Sequence, residues 1–226
     1  MKKIIIAGSE GLIGTELSNF LGNKGHNIVR CDLALGHDLN DETFTRSFFE
    51  KNKADCLINT FALNDHVESS RKMSGLFDIS LESLGDYLNV NLTCLFSVCR
   101  EFARNNESGS IVNFSSTYGV VSPYPELYDK GKEKHIGYCI SKAGVLQLTR
   151  YLAAHLAPNF RVNCVIPGGI KHEQNEEFVR KYSDKTPMGR MMNITELNGI
   201  VEYLCSNAAS YTSGALMNID GGWTSW

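Results

Sequence analysis

Short apolar runs alternate with longer amphipathic stretches along the 226-residue chain. Six of these runs have the length and the β-branched content of buried strands. They are "KIIIAG", "HNIVRCD", "ADCLINTFA", "GSIVNFSS", "FRVNCVIPGG" and "GALMNIDGG". Helical patterns lie between them. This alternation predicts an α/β fold with a mostly parallel sheet that is covered by helices on both faces.

The composition narrows the class of protein. A chain of 226 residues with 42% hydrophobic content has the size of one domain, so we expect a single domain over residues 1–226. A net charge of −3 argues against nucleic acid as a partner. The apolar runs are too short for a membrane span or a signal peptide, and 7 scattered cysteines are typical of free thiols. We therefore expect a cytoplasmic protein without a metal site.

The stretch "AGSEGLIG" follows the first strand and opens the first helix, with glycines at Gly8, Gly11 and Gly14. Glycine allows close approach of the main chain to a pyrophosphate, and the helix N-terminus offers free N–H groups. Asp32 ends the second strand, where a carboxylate accepts hydrogen bonds from ribose hydroxyls and repels a 2′-phosphate. Glu10 adds negative charge. The pattern predicts a dinucleotide site that prefers NAD over NADP, although glycine turns also occur for purely structural reasons.

The stretch "HIGYCISKAGV" places Tyr138 and Lys142 one turn apart on one face of a predicted helix. A tyrosine hydroxyl, with a pKa near 10, needs a nearby positive charge to act as an acid or base at neutral pH. This spacing alone also occurs on exposed helix faces. Here, however, Ser115 and Ser116 end the preceding strand, at the edge where open α/β sheets bind ligands. We therefore interpret the tyrosine and the lysine as a catalytic pair.

With these residues the sequence resembles the short-chain dehydrogenase/reductase family over essentially the whole chain. "NFSSTYG" resembles the catalytic serine segment, "YCISK" the Y-x-x-S-K signature and "LNVNLT" the segment of the catalytic asparagine. The resemblance implies that Tyr138 exchanges a proton with the substrate oxygen and that Ser116 hydrogen-bonds this oxygen. It implies that Lys142 lowers the tyrosine pKa and holds the nicotinamide ribose, and that Asn91 holds a water that relays protons.

The resemblance also implies a cofactor site and a Rossmann fold with a doubly wound, mostly parallel, seven-stranded sheet. "INTFA" stands where the family has N-N-A-G, so only its asparagine matches; "HDLND" resembles the adenine-contacting segment and "VIPGGI" the loop beside the nicotinamide. The expected NAD-binding residues are Gly8, Glu10, Gly11, Leu12, Ile13, Gly14, Asp32, Asp38, Leu39, Asn59, Tyr138, Lys142, Pro167, Gly168, Gly169 and Ile170.

Three functions stay open at this point. The G-x-x-G-x-x-G spacing is that of the extended branch of the family, mostly nucleotide-sugar epimerases and dehydratases with transient hydride transfer. The chain ends soon after its last predicted strand, as in the classical branch of NAD(P)-dependent dehydrogenases and reductases. A non-catalytic NAD(H)-binding regulatory subunit is the third. An intact set of catalytic residues favours the dehydrogenase/reductase.

Two segments are predicted to surround the substrate: an insertion at residues 117–137 and a lid around residues 170–192. The insertion mixes tyrosines with polar groups, which suits a hydroxyl-rich ligand, although residues 129–135 read as an exposed loop. Part of it, "SSTYGVVSPYPELY", resembles bacterial enzymes of surface and flagellar sugar modification. We expect a sugar or nucleotide-sugar substrate. Its expected contacts are Ser116, Tyr118, Tyr124, Tyr128 and Lys171. Helix pairing in the family implies a homodimer or homotetramer.

Overall fold

The computed structural model describes residues 1–64, 76–128 and 132–226. These residues form a six-stranded parallel sheet with the strand order β2-β1-β3-β4-β5-β6. The strands are β1 (Lys3–Ala7), β2 (Asn27–Cys31), β3 (Cys56–Asn59), β4 (Gly109–Phe114), β5 (Phe160–Pro167) and β6 (Leu216–Ile219). Since the order reverses between β1 and β3, the sheet has a topological switch point above β1, where ligands of this architecture bind.

Seven α-helices are described around this sheet. They are α1 (Leu12–Asn23), α2 (Glu42–Lys51), α3 (Leu81–Leu88), α4 (Leu95–Asn105), α5 (Ile136–His155), α6 (Glu176–Lys185) and α7 (Asn198–Cys205). A π-helical turn, Asn89–Cys94, joins α3 to α4. None of the helices in the described part of the chain combines the length and apolar character that crossing a bilayer requires.

Both faces of the sheet are buried, as the alternation of strands and helices predicts. Along β1, Ile5 belongs to the core that contains side chains of α2, α4 and α5, whereas Ile4 and Ile6 belong to the core that contains side chains of α1 and α7. All three isoleucines have no exposed surface. Side chains that alternate between two buried faces give the continuous apolar runs of the sequence, and the predicted doubly wound α/β fold is confirmed.

The sheet of the described residues has one strand fewer than the family resemblance implies. Residues 32–41 lead from β2 to α2 through one short 3₁₀ helix, Leu33–Leu35, and Asp41 already caps α2. A further parallel strand beyond β2 would need a crossover of about a dozen residues or more. The connection is too short for it, so β2 forms the edge of the sheet on this side.

Candidate active site

A cavity of about 1150 Å³ opens at the carboxyl edge of the sheet. It is lined by all the predicted cofactor residues except Asn59 and by all the predicted catalytic residues except Asn91. Of the predicted substrate residues, Tyr124 and Lys171 lie outside its lining. The folded chain therefore brings most of the predicted site together around one space, and four predicted residues need separate accounts.

The glycine loop at one end of the cavity depends on close main-chain packing. Gly8 has φ of +87°, and its N–H donates to the Cys31 carbonyl at 2.8 Å. A Cβ atom on Gly14 would lie 2.0 Å from the Gly8 oxygen, and one on Gly8 would lie 2.4 Å from the Phe61 nitrogen. Gly11 caps α1 without a side-chain hydrogen bond. The first N–H groups of α1 are thus available for an anionic group such as a pyrophosphate.

Asp32 faces this loop from the end of β2. Its Oδ2 accepts a hydrogen bond from the Glu10 N–H at 3.0 Å, and its Oδ1 accepts one from the Ala34 N–H at 2.9 Å. The sequence interpretation missed Arg30, which forms an ion pair of 3.1 Å with the Glu10 carboxylate. This pair offsets the negative charge of Glu10 at the end of the cavity near β2.

Thr60, directly after β3, supports the glycine loop and also lines the cavity, whereas Asn59 at the end of β3 does not line it. The Thr60 hydroxyl lies within hydrogen-bonding distance of the Ala7 and Gly8 carbonyls, at 3.0 and 2.9 Å. Asn59, predicted to bind the cofactor, is 2% exposed, and its Nδ2 donates to the Asn113 Oδ1 of β4 at 2.9 Å. As the last residue of β3 it turns its side chain into the core, so it links two strands and does not line the cavity.

Tyr138 lies in the first turn of α5, which His135 caps by accepting a hydrogen bond from the Gly137 N–H at 3.0 Å. The tyrosine is 9% exposed. Burial raises its pKa to about 12, and the neighbouring Ser116 hydroxyl acts in the opposite direction. The other serine, Ser115, donates to the Lys142 carbonyl at 2.7 Å and so holds α5 against the end of β4. Ser116 and Tyr138 both line the cavity, and the catalytic role of Ser116 stays a prediction.

Lys142 is 4% exposed, and its Nζ donates to the Phe114 carbonyl at 2.9 Å. Its Nζ lies 5.8 Å from the centroid of the Tyr138 ring. Burial lowers the lysine pKa to about 8. Burial is the main cause of the raised tyrosine pKa within the chain, and the lowering of that pKa by the Lys142 ammonium stays a prediction. A second ammonium, which the sequence interpretation missed, belongs to Lys134, whose Nζ lies 4.5 Å from the same ring centroid.

Asn91 lies in the π-helical turn before α4 and is 2% exposed. Its Oδ1 accepts from the Leu63 N–H at 2.6 Å, and its Nδ2 donates to the Leu63 carbonyl at 3.0 Å and to the Ser141 hydroxyl at 3.0 Å. The side chain therefore ties the segment after β3 to α5, behind the cavity wall. Its predicted role in holding a water stays a prediction.

The insertion contributes two tyrosines to the cavity. The Tyr118 and Tyr128 hydroxyls lie 2.9 Å apart, and burial raises the pKa of both, that of Tyr128 to about 12. Tyr124 instead donates to the Glu126 carboxylate at 2.6 Å, with the Lys185 ammonium 3.2 Å from its ring centroid. Tyr124 thus lies outside the lining of the cavity, and its contact with a substrate stays a prediction.

Lys171 is also outside the cavity. It is exposed, and its N–H donates to the Met192 carbonyl at 2.9 Å. This main-chain hydrogen bond joins the beginning and the end of the segment at residues 170–192. His172 and Phe178 of this segment do line the cavity. Residues 129–131 of the insertion lie outside the described residues.

An apolar cluster joins the insertion to the segment at residues 170–192. It consists of the buried residues Leu127, Tyr182, Met191 and Trp223. The Tyr182 and Trp223 rings stack with centroids 4.2 Å apart, and the Tyr182 hydroxyl accepts from the Gly169 N–H at 2.6 Å. The cluster fixes the predicted loop beside the nicotinamide to the wall of the cavity.

Comparisons with known proteins agree with this geometry. Residues 10–224 match the family model described as Enoyl-(Acyl carrier protein) reductase. The 3-oxoacyl-acyl-carrier-protein reductase FabG of Aquifex aeolicus is 30% identical, over 97% of this chain and 86% of that protein. The galactitol 2-dehydrogenase (L-tagatose-forming) of Cereibacter sphaeroides is 35% identical, over 61% of this chain and 55% of that protein.

Solved structures give the same picture. A short-chain dehydrogenase from Leptospira borgpetersenii, crystallised with bound NAD⁺, superposes with a TM-score of 0.87 at 29% identity. The match covers 99% of this chain and 92% of that one. The likeness thus includes the glycine loop, the sheet and the helix with the tyrosine.

Proposed function

Since the chain belongs to the short-chain dehydrogenase/reductase family, a family of NAD(P)-dependent oxidoreductases, we propose that it transfers a hydride between NAD and a carbonyl or hydroxyl carbon of a small polar substrate. The observation that carries the proposal is the meeting of Ser116, Tyr138 and Lys142 in the cavity that also receives the glycine loop. A protein that only bound the cofactor would not need this group of side chains.

The cavity supports a chemical role for each of these residues. The nicotinamide supplies or accepts the hydride, and in its oxidised form it carries a positive charge. Tyr138 gives a proton to the substrate oxygen or takes one from it, while Ser116 hydrogen-bonds the same oxygen. Because burial raises the Tyr138 pKa to about 12, added positive charge is needed for the phenolate to form near neutral pH. Lys142, with a pKa of about 8, is still mostly an ammonium there and stabilises that phenolate.

NAD is the proposed cofactor rather than NADP. Asp32 supports this choice because its carboxylate, held by two main-chain N–H groups, meets the ribose end of the cavity with negative charge. The Leptospira enzyme described above was crystallised with NAD⁺. Asp38 and Leu39 line the same end of the cavity and are the proposed adenine contacts.

A sugar or nucleotide-sugar derivative is the proposed substrate. Tyr118 and Tyr128 give the cavity both aromatic rings and a pair of hydrogen-bonding hydroxyls, which suit a hydroxyl-rich ligand. The galactitol dehydrogenase described above is a relative whose name contains a sugar alcohol. We propose residues 1–226 as one domain, in which the insertion at 117–137 and the segment at 170–192, as a lid, cover the substrate.

Assembly and location complete the proposal. Phe96 of α4 and Ile140 and Tyr151 of α5 are exposed, which suits a homodimer or homotetramer formed through these helices. The seven cysteines are free thiols, which suits the cytoplasm.

The decisive experiment measures NADH and NADPH absorbance over a panel of polyols, keto-sugars, sugar acids and nucleotide sugars. Tyr138→Phe is expected to lower kcat by about 10²- to 10⁴-fold, while the Kd for NADH stays unchanged. Tyr211→Phe, at a fully exposed tyrosine outside the cavity, is the matched control and should turn over normally. Undiminished turnover by Tyr138→Phe would contradict the proposal. Isomerised product without net absorbance change would favour the epimerase, which the G-x-x-G-x-x-G spacing supports.

A further inference from the structure

The loop at residues 167–170 is the proposed contact of the nicotinamide, and its two glycines are held in different ways. The Gly168 N–H donates to the Ile219 carbonyl of β6 at 2.9 Å, so the sheet itself holds this residue. The pairing of β5 with β6 ends there, at Pro167 and Ile219. Gly169 lies beyond the paired residues, so its N–H needs a partner from another part of the fold.

Tyr182 of α6 is that partner. Its hydroxyl accepts from the Gly169 N–H at 2.6 Å, and the residue is buried. The Trp223 ring stacks on the Tyr182 ring, with centroids 4.2 Å apart and an angle of 9° between the planes. Burial raises the Tyr182 pKa to about 12, so the group stays an uncharged phenol near neutral pH. The Gly169 N–H therefore meets an uncharged hydroxyl on a ring that a second ring supports.

Gly169 and Tyr182 also fit each other in shape. A Cβ atom on Gly169 would lie 2.7 Å from Cζ of the Tyr182 ring and 3.1 Å from the Met191 methyl carbon. The φ of Gly169 is outside the left-handed region, so the main chain by itself does not require glycine here. The close approach of the tyrosine ring does require it.

The loop borders open space on more than one side. Gly168, Gly169 and Tyr182 line the main cavity and also a second cavity of about 460 Å³. Because side chains do not fill these spaces, the loop can shift unless hydrogen bonds hold it. The bond from Gly169 to Tyr182 is the one of these bonds that depends on a side chain.

Helix α6 connects this hydrogen bond to the substrate end of the cavity. Phe178, one helical turn before Tyr182, lines the cavity, and the centroids of the two rings lie 6.0 Å apart. The centroid of the Phe178 ring also lies 5.9 Å from that of Tyr128 in the insertion. The tyrosine that holds Gly169 thus belongs to the same row of aromatic rings as a proposed substrate contact.

We propose that Tyr182 is a positioning residue for the nicotinamide, because its hydroxyl keeps the Gly169 N–H and the loop in the position that receives the ring. The inference rests on the proposed function, since it specifies how the cofactor of that same site is oriented. Without the hydroxyl, the Gly169 peptide group loses its partner and can turn toward the cavity. The adenosine and pyrophosphate parts, which we propose to bind at Asp32 and the glycine loop, should not respond.

The test uses two ligands that differ in the nicotinamide. NADH carries the ring, and ADP-ribose is the rest of the molecule without it. Calorimetry measures the Kd of each ligand for the wild type and for Tyr182→Phe, which keeps the ring stacked on Trp223 and removes only the hydroxyl. NADH binding should weaken by about 3- to 10-fold, the effect of one lost hydrogen bond, while the Kd of ADP-ribose stays unchanged. A merely structural role would affect both ligands alike.

Tyr203→Phe is the matched control. The Tyr203 hydroxyl also forms one hydrogen bond, with the Thr212 hydroxyl at 2.7 Å, and the residue lies on α7 and lines neither of the two cavities. Its substitution should leave the Kd of both ligands unchanged. Urea titration of the two variants shows whether each is as folded as the wild type.

Four outcomes would contradict these proposals, and they are distinguishable. An unchanged Kd for NADH in Tyr182→Phe, or an equal loss of both ligands, through unfolding included, would overturn the inference. So would a wild type that binds NADH no more tightly than ADP-ribose. A wild type that binds neither ligand would overturn the proposed function as well. A selective loss of NADH binding, without any turnover that Tyr138→Phe abolishes, would overturn the proposed function and leave the positioning role standing.

Discussion

Main-chain atoms make the critical contacts at the glycine loop, whereas side chains make them around Tyr118 and Tyr128. At the loop, any Cβ atom on Gly14 would collide with the Gly8 carbonyl at 2.0 Å. At the other end of the cavity, hydroxyl groups meet at 2.9 Å, and aromatic rings pack on residues from the segment at 170–192. The first kind of contact needs glycine itself, while the second allows many residue types.

The cofactor end and the substrate end of the cavity therefore differ in how freely their residues can be substituted. A site built from main-chain atoms suits a ligand group that is always the same, such as the pyrophosphate of the cofactor. A side chain added at one of its glycines would displace the main chain. A site built from side chains can change its ligand while the sheet stays intact. Substitution of a loop glycine should therefore cost both stability and cofactor binding, whereas substitution of a side chain at the substrate end should mainly change substrate affinity.

Gly14→Ala tests the main-chain contacts of the cofactor end and should have the largest effect. Because the new methyl group would overlap the Gly8 carbonyl, we expect a loss of about 1–3 kcal/mol in the free energy of unfolding and no measurable NADH binding. Urea titration and NADH fluorescence check both. Gly199→Ala, at a helical site with nothing within 4 Å, is the control and should be neutral or stabilising. Normal NADH binding by Gly14→Ala would show that the loop is not the cofactor site.

Lys142, between the two ends, should give stability a pH dependence. Burial lowers its pKa from 10.5 to about 8, so between these values the unfolded chain binds more protons than the folded one. The Lys142 contribution to the free energy of unfolding then rises with pH over this window, by at most about 1.4 kcal/mol per pH unit. Buried cysteine thiols, whose pKa burial raises to about 12, contribute a fall above pH 9, so the test is the difference between variant and wild type. Measured by urea titration between pH 8 and 10, the stability of Lys142→Met relative to the wild type should decrease with pH, whereas that of Lys53→Met, at an exposed lysine, should stay constant. A pH-independent difference for Lys142→Met would contradict the prediction.

Asp32→Ala tests the proposed ribose contact at the cofactor end of the cavity. Without the carboxylate, the ratio of the NADPH and NADH dissociation constants should move toward NADPH by about tenfold, because Arg30 then faces a 2′-phosphate with less opposing charge. Adding Arg30→Ala should reverse most of that gain. An unchanged ratio in the single variant would remove the basis for the NAD preference.

Tyr118→Phe should have the smallest effect. It leaves the half-buried Tyr128 hydroxyl without its partner, which costs about 1 kcal/mol of stability, and it should change substrate KM without changing NADH affinity. Tyr211→Phe, on a fully exposed tyrosine, is the control. A loss of NADH binding in Tyr118→Phe would mean that the two ends are not independent.

The sequence predicted the parts of the site that depend on local chemistry. Gly8 and Gly14 follow from the spacing of a loop at the first strand–helix junction, Tyr138 follows from its place on the helix after "NFSS", and the alternation of strands and helices predicted the fold. The family resemblance picked Ser116 as the active serine, and Ser116 lines the cavity together with Tyr138.

Residues whose surroundings come from distant parts of the chain were not predictable. Asn59 and Asn91 lie in segments that resemble family motifs, yet their side chains form hydrogen bonds inside the fold. Asn59 bonds to Asn113, and Asn91 bonds to Leu63 and Ser141. Lys134 was missed because its partner Asn64 is 70 residues away, and Arg30 because its partner Glu10 lies in the loop after the neighbouring strand β1. Periodicity in the sequence predicts which face of a helix or strand a residue lies on, but not which residues of other elements contact that face.

The apolar cluster has a consequence for how such an enzyme changes over evolutionary time. Leu127 from the insertion, Tyr182 and Met191 from the segment at 170–192, and Trp223 from beyond the last strand pack as one body. An insertion transplanted from another enzyme would arrive without its counterparts in the other two places. Recombination and loop grafting should therefore succeed only when all three stretches are exchanged together, which makes them a single heritable unit of substrate choice.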